Sequence, residues 1–259
     1  MICFCLALGV IFAVKYFTRK TEPVIIGIID TGISTRAIPA QNILEGKNYI
    51  DPSKSTEDTY GHGTAVASVI LDAMPEAKFV PLVSNAYEDG RINQVDNDVF
   101  AQMIRDAVDV YGCQIINLSV GLILDKQSVR EAVAYAEGNG VLVVASAGND
   151  YDKDGAFVYY PASYETVFAV GSVSKDGTAI SDFSQRGDWV DIYACGEGIT
   201  VKTLTGDSRE SEGTSYSAAL VTARAATILQ EAPNLTPAEI RLKLLEGATK
   251  LDSGILVMK

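Results

Sequence analysis

Three residues of this sequence, Ser215, His62 and Asp30, have the types that nucleophilic catalysis requires. A serine hydroxyl attacks a carbonyl group efficiently only when a base removes its proton, and an imidazole suits that task near neutral pH. His62 is the only histidine among the 259 residues, so an imidazole base would have to be His62. Together the three residues could perform acyl transfer, with Asp30 orienting the imidazole.

Asp30 follows a continuous apolar run and opens the tripeptide Asp30-Thr31-Gly32. A carboxylate in this place is as often a helix cap as a functional group. Aspartic proteases use the same tripeptide, although in an all-β setting. The strand and helix patterns described below argue against that class of enzyme.

The surroundings of His62 distinguish it from an ordinary histidine, which is more often a structural residue than a base. Gly61 and Gly63 flank it, and Thr64 leads into an apolar helical segment. Glycines on both sides let the backbone and a substrate approach the ring closely, which a structural histidine does not need. This context favours a functional role.

Ser215 stands in Gly213-Thr214-Ser215, directly before a segment rich in small residues that is typical of a buried helix. A serine at a helix N-terminus is most often a simple cap. The same position, however, directs free backbone N–H groups at an oxyanion, so a cap and a nucleophile look alike locally. Ser217 occupies the place where lipase-like hydrolases have glycine, which disfavours that class.

Asn149 follows a strand-like run in Ala147-Gly148-Asn149. Asparagine after glycine is ordinarily a turn residue. At a strand end that faces the same crevice as the other three residues, its amide could instead donate to the oxyanion.

The elements that must position these residues follow an alternating pattern. Apolar runs predict buried parallel strands over residues 24–29, 79–83, 115–120, 141–147, 167–173 and 189–193. Helical periodicity lies between and after them, over residues 65–73, 97–111, 128–138, 214–231 and 236–246. The last helix opens with a capping box of Thr236 and Glu239. We therefore predict an α/β fold with a doubly wound, mostly parallel sheet flanked by helices.

The motifs around Asp30, His62, Asn149 and Ser215 resemble those of the subtilisin-like serine proteases, and they occur in the same order along the chain. This order is opposite to that of chymotrypsin. The similarity extends over about residues 24 to 253. Within it, five further segments are similar to that family: 116–121, 160–162, 170–173, 183–187 and 233–236. The chain departs from the family at four positions. It has Tyr216 where the family usually has methionine and Ala65 where the family usually has histidine. Ala219 and Cys195 stand where the family usually has proline. These positions carry no proton relay, so they concern packing rather than chemistry.

The resemblance implies a serine endopeptidase with Asp30, His62 and Ser215 as its triad and Asn149 in its oxyanion hole. It also implies a peptide or protein substrate that lies extended along Ser119, Val120 and Gly121.

The primary specificity pocket has two predicted forms. Tyr159 aligns with a position where small residues floor the pocket, so its ring would favour small or unbranched side chains before the scissile bond. The alternative is that Asp150, Asp152 or Asp154 reaches the pocket and selects Arg or Lys.

Two rival functions stay open at this stage. One is a catalytically inactive member that serves as a binding scaffold at the membrane, which the altered residues around Ser215 favour. The other is a serine hydrolase that does not act on peptides.

No cofactor and no metal are expected. Only residues 65–77 separate the histidine motif from the next strand, which leaves no room for the Ca²⁺ loop that many family members insert there.

Composition sets the broad class. A chain of 259 residues that is 47% hydrophobic suffices for one α/β domain. Its net charge of -12 comes without a basic tract, so we expect no nucleic-acid partner, and an acidic surface favours basic peptides. The four cysteines form no legible disulfide framework, and free thiols are predicted. No pattern in the sequence sets an oligomeric state.

The N-terminus, residues 1–20, is predicted to be a membrane-directed segment ahead of a peptidase domain over residues 24–259. It is apolar from residue 2 to 14 and then carries Lys15, Arg19 and Lys20. The positive-inside rule puts these charges, and the domain after them, on the cytoplasmic side. Secretion by a cleaved signal is the alternative, although a signal would carry its charges before the apolar run.

Overall fold

A computed structural model describes residues 22–88 and 90–258. It has thirteen strands: β1 Ile25–Asp30, β2 Lys47–Asn48, β3 Lys78–Val83, β4 Asn85–Glu88, β5 Arg91–Gln94, β6 Ile115–Leu118, β7 Leu142–Ser146, β8 Phe168–Val173, β9 Ile192–Cys195, β10 Ile199–Lys202, β11 Ser208–Ser211, β12 Thr249–Lys250 and β13 Leu256–Val257. The described part has six α-helices: α1 His62–Ala73, α2 Asn97–Asp109, α3 Gln127–Gly138, α4 Tyr151–Asp154, α5 Thr214–Glu231 and α6 Pro237–Glu246. A short 3-10 turn covers Ala40–Asn42.

A nine-stranded sheet in the order β12-β13-β9-β8-β7-β6-β1-β3-β2 forms the centre of the molecule. Its pairs are parallel except β12 with β13. β1 lies inside the sheet and pairs with both β3 and β6, in register at Asp30 with Val83 and at Ile29 with Leu118. The predicted α/β sheet flanked by helices is confirmed.

Apolar cores cover both faces of the sheet, which explains why its inner strands are mostly apolar rather than alternating. One core packs α1, α5 and α6 against one face. The other packs α2 and α3 against the opposite face. The polar residues that the sequence predicts to be functional stand where strands end: Asp30 closes β1, Ser119 follows β6 and Asn149 follows β7.

The helix boundaries agree with the predicted segments within a few residues. α5 begins at Thr214 and ends at Glu231, as predicted. α1 begins at His62 rather than at residue 65, so the histidine stands in its first turn. The capping box before α6 is present, with the side chains of Thr236 and Glu239 each bonded to the other residue's backbone N–H.

The strand predicted over residues 189–193 is present, but its predicted start is three residues too early. Trp189 lies in a turn, closed by a 3.1 Å hydrogen bond from the Val190 N–H to the Gly187 carbonyl. The strand β9 begins only at Ile192. The indole ring folds back over Gly187, where a Cβ atom would be only 2.7 Å from the indole nitrogen. An apolar residue that covers a turn was therefore mistaken for part of a strand.

The predicted membrane segment and two of the cysteines, Cys3 and Cys5, lie outside the described residues. Within 22–88 and 90–258, no helix has the length and apolar character needed to cross a bilayer. Cys113 and Cys195 are both free thiols, as predicted. Burial raises the pKa of the Cys113 thiol to about 12, so this side chain is inert.

Candidate active site

Asp30 and His62 are in direct contact. Asp30 is the last residue of β1 and only 1% exposed, while His62 begins α1. The Nδ1 atom of His62 lies 2.7 Å from one carboxylate oxygen of Asp30 and 2.8 Å from the other. A carboxylate can only accept, so Nδ1 carries the proton and Nε2 is left with a free lone pair. This is the tautomer that a general base needs.

The turn before His62 is held by Asp58, a residue that the sequence analysis missed. Its buried carboxylate accepts hydrogen bonds from the backbone N–H groups of Tyr60, Gly61 and Thr64 at 2.8 to 2.9 Å. The signal that could have identified it is an acidic residue a few positions before a helix start. Because these bonds fix the turn, they also fix the direction of the imidazole.

Gly63 is needed at its position for a steric reason. A Cβ atom at this position would lie 2.3 Å from the carbonyl oxygen of Gly32 and 3.1 Å from the Asp30 side chain. Only glycine lets α1 begin so close to the end of β1. Gly63 therefore permits the close approach of His62 to Asp30.

Two opposing effects set the pKa of His62. Burial by itself lowers the pKa, because it disfavours the charged ring. The charge of Asp30 and its hydrogen bond to Nδ1 raise the pKa, and the net shift is upward from the ordinary value of 6.5. The imidazolium that forms when the ring accepts a proton is thus stabilised.

Ser215 lies in the first turn of α5 and is 6% exposed. The next residue, Tyr216, places its ring 6.3 Å from the ring of His62 between centroids, so this turn lies beside the imidazole. Within the described residues, no hydrogen bond joins the Ser215 hydroxyl to His62. Such bonds are often long in enzymes without substrate and shorten in the complex.

Thr214 fixes the amide of Asn149. The backbone N–H and the hydroxyl of Thr214 both donate to Oδ1 of Asn149, each at 2.8 Å. The hydroxyl in turn accepts the Gly148 N–H at 3.1 Å. Since a backbone N–H can bond only to the oxygen of the amide, Nδ2 of Asn149 must point away from Thr214 and is available to another acceptor. This role of Thr214 could not be predicted from the sequence.

The predicted substrate-binding residues Ser119, Val120 and Gly121 follow the end of β6. They share a cavity of about 280 Å³ with Asp30 and His62. The remaining lining includes Tyr60 and several residues of the β4–β5 hairpin. A larger cavity of about 600 Å³ lies behind α5 and contains none of the predicted site residues.

Tyr159 fills the space between two backbone segments. Its ring carbons lie 2.8 Å from an ideal Cβ position at Gly121 and 2.5 Å from one at Gly148. Its hydroxyl donates to Asp150 at 2.8 Å. Burial, together with this bond to a carboxylate, raises the pKa of Tyr159 to about 12, so the hydroxyl stays protonated.

The helix after His62 runs without interruption from His62 to Ala73, and β3 begins at Lys78. No inserted loop separates them. In the described parts of the chain, no group of three or more His, Cys, Asp or Glu side chains is arranged to hold a metal ion.

The sequence model of the subtilase family matches residues 21–257. The chain belongs to the subtilase family. Subtilisin Savinase of Lederbergia lenta is 33% identical over 239 residues, which cover 88% of this chain and 84% of that protein. The major intracellular serine protease of Bacillus subtilis (strain 168) is 31% identical over 258 residues, covering 90% and 78% respectively.

A solved structure of a cold adapted subtilisin-like serine proteinase superimposes with a TM-score of 0.80 at 24% identity, over 91% of this chain and 88% of that one. The subtilase fold is thereby confirmed. As a subtilase, the protein is a serine endopeptidase that acts on peptide bonds. These relationships give no support to the alternative of an inactive scaffold.

Proposed function

We propose that this subtilase cleaves peptides through an acyl-enzyme on Ser215, with His62 as general base and Asp30 as the residue that orients it. The contact of Asp30 with Nδ1 of His62 at 2.7 Å is the observation that carries the proposal. It leaves Nε2 unprotonated, and Ser215 lies in the first turn of the neighbouring helix α5.

In the first step, Nε2 of His62 takes the hydroxyl proton of Ser215 while Oγ bonds to the carbonyl carbon of the substrate. The tetrahedral intermediate then collapses, the C–N bond breaks, and His62 gives the proton to the leaving amine. A water molecule then attacks the acyl-enzyme, and His62 takes its proton. When the bond between Oγ and the acyl carbon breaks, His62 returns a proton to Oγ, which regenerates the free hydroxyl.

The oxyanion of the intermediate would be held by Nδ2 of Asn149 and the backbone N–H of Ser215. The two 2.8 Å bonds from Thr214 to Oδ1 support this role, because they fix the amide before substrate arrives. The N-terminus of α5 adds the positive end of its helix dipole. Thr214 is thus a positioning residue for Asn149.

The substrate backbone would pair as an added strand with Ser119 to Gly121. Tyr159 would close the space beneath the residue before the scissile bond, so small or unbranched side chains should be preferred there. Asp150 is already bonded to the Tyr159 hydroxyl, which weighs against the alternative in which an aspartate of this segment selects Arg or Lys.

Labelling with a fluorophosphonate probe tests the mechanism. The purified protein should be labelled, and Ser215→Ala should abolish both labelling and peptide cleavage. Ser208→Ala on the exposed strand β11 is the matched control and should behave like the wild type. Asn149→Ala should lower kcat by about 10² to 10³-fold, a magnitude already known from another member of this family. Labelling that persists in Ser215→Ala would contradict the proposal.

We also propose that residues 1–20 tether the domain to the cytoplasmic side of a membrane, on the basis of Lys15, Arg19 and Lys20. Protease treatment of intact cells should then leave the domain undigested, and lysis should expose it. Removal of the domain from intact cells, or its recovery from the medium, would favour secretion instead.

A further inference from the structure

A series of hydrogen bonds connects the interior of α5 with the residues that follow β6. The Thr222 hydroxyl donates to Oδ1 of Asn117 at 2.9 Å. Nδ2 of Asn117 donates to the hydroxyl of Ser119 at 3.0 Å. The Ser119 hydroxyl donates in turn to the carbonyl oxygen of Ser215 at 3.4 Å. The series therefore begins and ends on α5, and it passes through the proposed substrate-binding strand.

The first two members of the series lie in the core. Thr222 and Asn117 are both 0% exposed. Asn117 is the only polar residue of β6, whose other residues are Ile115, Ile116 and Leu118. Packing alone would be served by another apolar side chain, and a buried amide is costly unless its groups are bonded. The polar pair therefore points to a requirement other than packing.

The bonds of the series share one direction. The Thr222 hydroxyl donates to the amide oxygen of Asn117, so the other end of this amide faces Ser119. That end is the NH₂ group, which occupies a lone pair of the Ser119 hydroxyl. The hydrogen of this hydroxyl is then free to bond to the carbonyl of Ser215.

The helix geometry brings both ends of the series to one side of α5. Ser215 and Thr222 are separated by two turns, because an α-helix has 3.6 residues per turn. The side of α5 that carries Ser215 is therefore the side that contacts Asn117 and Ser119. This contact is one of those that place α5 against the sheet.

We propose that Thr222 is a positioning residue for catalysis, which acts through Asn117 to hold Ser119 and Ser215 at the separation that attack requires. The inference rests on the proposed function, in which Ser119 begins the substrate strand and Ser215 is the nucleophile. A displacement of about 1 Å at a reacting group can cost about 100-fold in rate.

Thr222→Val tests the proposal because it keeps the shape of the side chain and removes only the hydroxyl. For an extended peptide substrate, kcat should fall by about 10- to 100-fold with little change in KM. The rate of fluorophosphonate labelling should stay within about twofold of the wild type, since a small probe does not pair with the strand. Thr222→Ser should restore peptide cleavage.

Thr227→Val is the matched control on the same helix. Its hydroxyl donates to the Ala223 carbonyl of α5 itself at 3.0 Å and makes no link to the strand. It should leave both peptide cleavage and labelling unchanged.

A second test variant is Ser119→Ala, which removes the bond from Ser119 to the Ser215 carbonyl and should give the same fall in kcat. Combined with Thr222→Val, it should cause little further loss, because both changes break one series.

Several outcomes would overturn the inference. One is a Thr222→Val protein that cleaves peptides as well as Thr227→Val does. Another is a parallel loss of cleavage and labelling, which would indicate a purely structural role. If Thr222→Val does not fold, Ser119→Ala decides, and unchanged kcat in that variant refutes the inference. A wild-type protein that is neither labelled nor active refutes the proposed function, whereas normal wild-type activity with unaffected variants refutes this inference alone.

Discussion

Replacing Tyr159 by alanine should change which substrates the protein cleaves. The ring occupies the gap between Gly121 and Gly148 so closely that its carbons lie 2.8 and 2.5 Å from the ideal Cβ positions of these glycines. Removing it leaves a slot bounded by two backbone segments. An aromatic side chain of the substrate could then enter the space that Tyr159 now fills.

The size of the effect follows from apolar burial. Full burial of a phenylalanine side chain stabilises by about 1.5 to 3 kcal/mol. At 1.4 kcal/mol for each factor of ten, Tyr159→Ala should raise kcat/KM for a Phe substrate about 10- to 150-fold relative to an Ala substrate. The ratio between the two substrates matters more than either rate, since it cancels any general loss of activity.

The assay uses peptides that differ only in the residue before the scissile bond, with Ala, Phe or Arg there. Phe157→Ala is the control, because its ring lies 5.3 Å from that of Tyr159 but is 38% exposed. It should leave the Phe-to-Ala ratio unchanged. An unchanged ratio in Tyr159→Ala would refute the reasoning. A wild-type enzyme that prefers Arg would support the acidic pocket instead.

Three further predictions concern the proton relay, a helix cap and calcium. Asp30→Asn should lower kcat by about 10⁴-fold, because the wrong tautomer of His62 then prevails. The raised pKa of His62 puts the acid limb of the kcat/KM profile above pH 6.5, since activity needs the neutral ring and rises with pH through that pKa. Any residual activity of Asp30→Asn should have its acid limb at lower pH, because the charge of Asp30 is gone. An acid limb at the wild-type pH would show that Asp30 does not raise the pKa of His62. Thr236→Ala should cost about 1 kcal/mol in the free energy of unfolding, measured by urea titration, because it breaks the capping box, and no loss would mean that the cap is redundant. EDTA should leave the Tm and the activity nearly unchanged, whereas a drop of more than about 5 °C would show that a Ca²⁺ site exists.

The sequence was most informative about buried elements. The strands β1, β3, β6, β7 and β8 are apolar along most of their length, so their positions followed from hydrophobic runs alone. The hairpins β4–β5 and β10–β11 were missed, because their exposed strands mix polar and apolar residues without a clear period. Trp189 misled for a related reason, since an apolar ring can cover a turn as well as a strand.

The residues of the candidate site divide in the same way. Asp30, His62, Asn149 and Ser215 could be identified because their residue types carry chemistry and because they stand at element ends. Asp58 was missed although its bonds are local, because an acidic residue before a helix start is most often a simple cap. Thr214 and Thr222 could not be identified, since their roles consist of hydrogen bonds to residues distant in the chain. Such bonds depend on the folded arrangement and leave no local pattern.

The place of β1 within the sheet affects how a newly synthesised chain becomes active. β1 is among the first segments made, yet it pairs with β6, whose residues are translated about 90 positions later. The helix α5 is made later still and packs against β6, β7, β8 and β9, which all lie on one side of β1 in the sheet. A nascent chain thus carries Asp30 and His62 long before Ser215 can join them. If these residues form the proposed triad, the emerging polypeptide has no complete catalytic centre with which to attack itself or its neighbours on the ribosome.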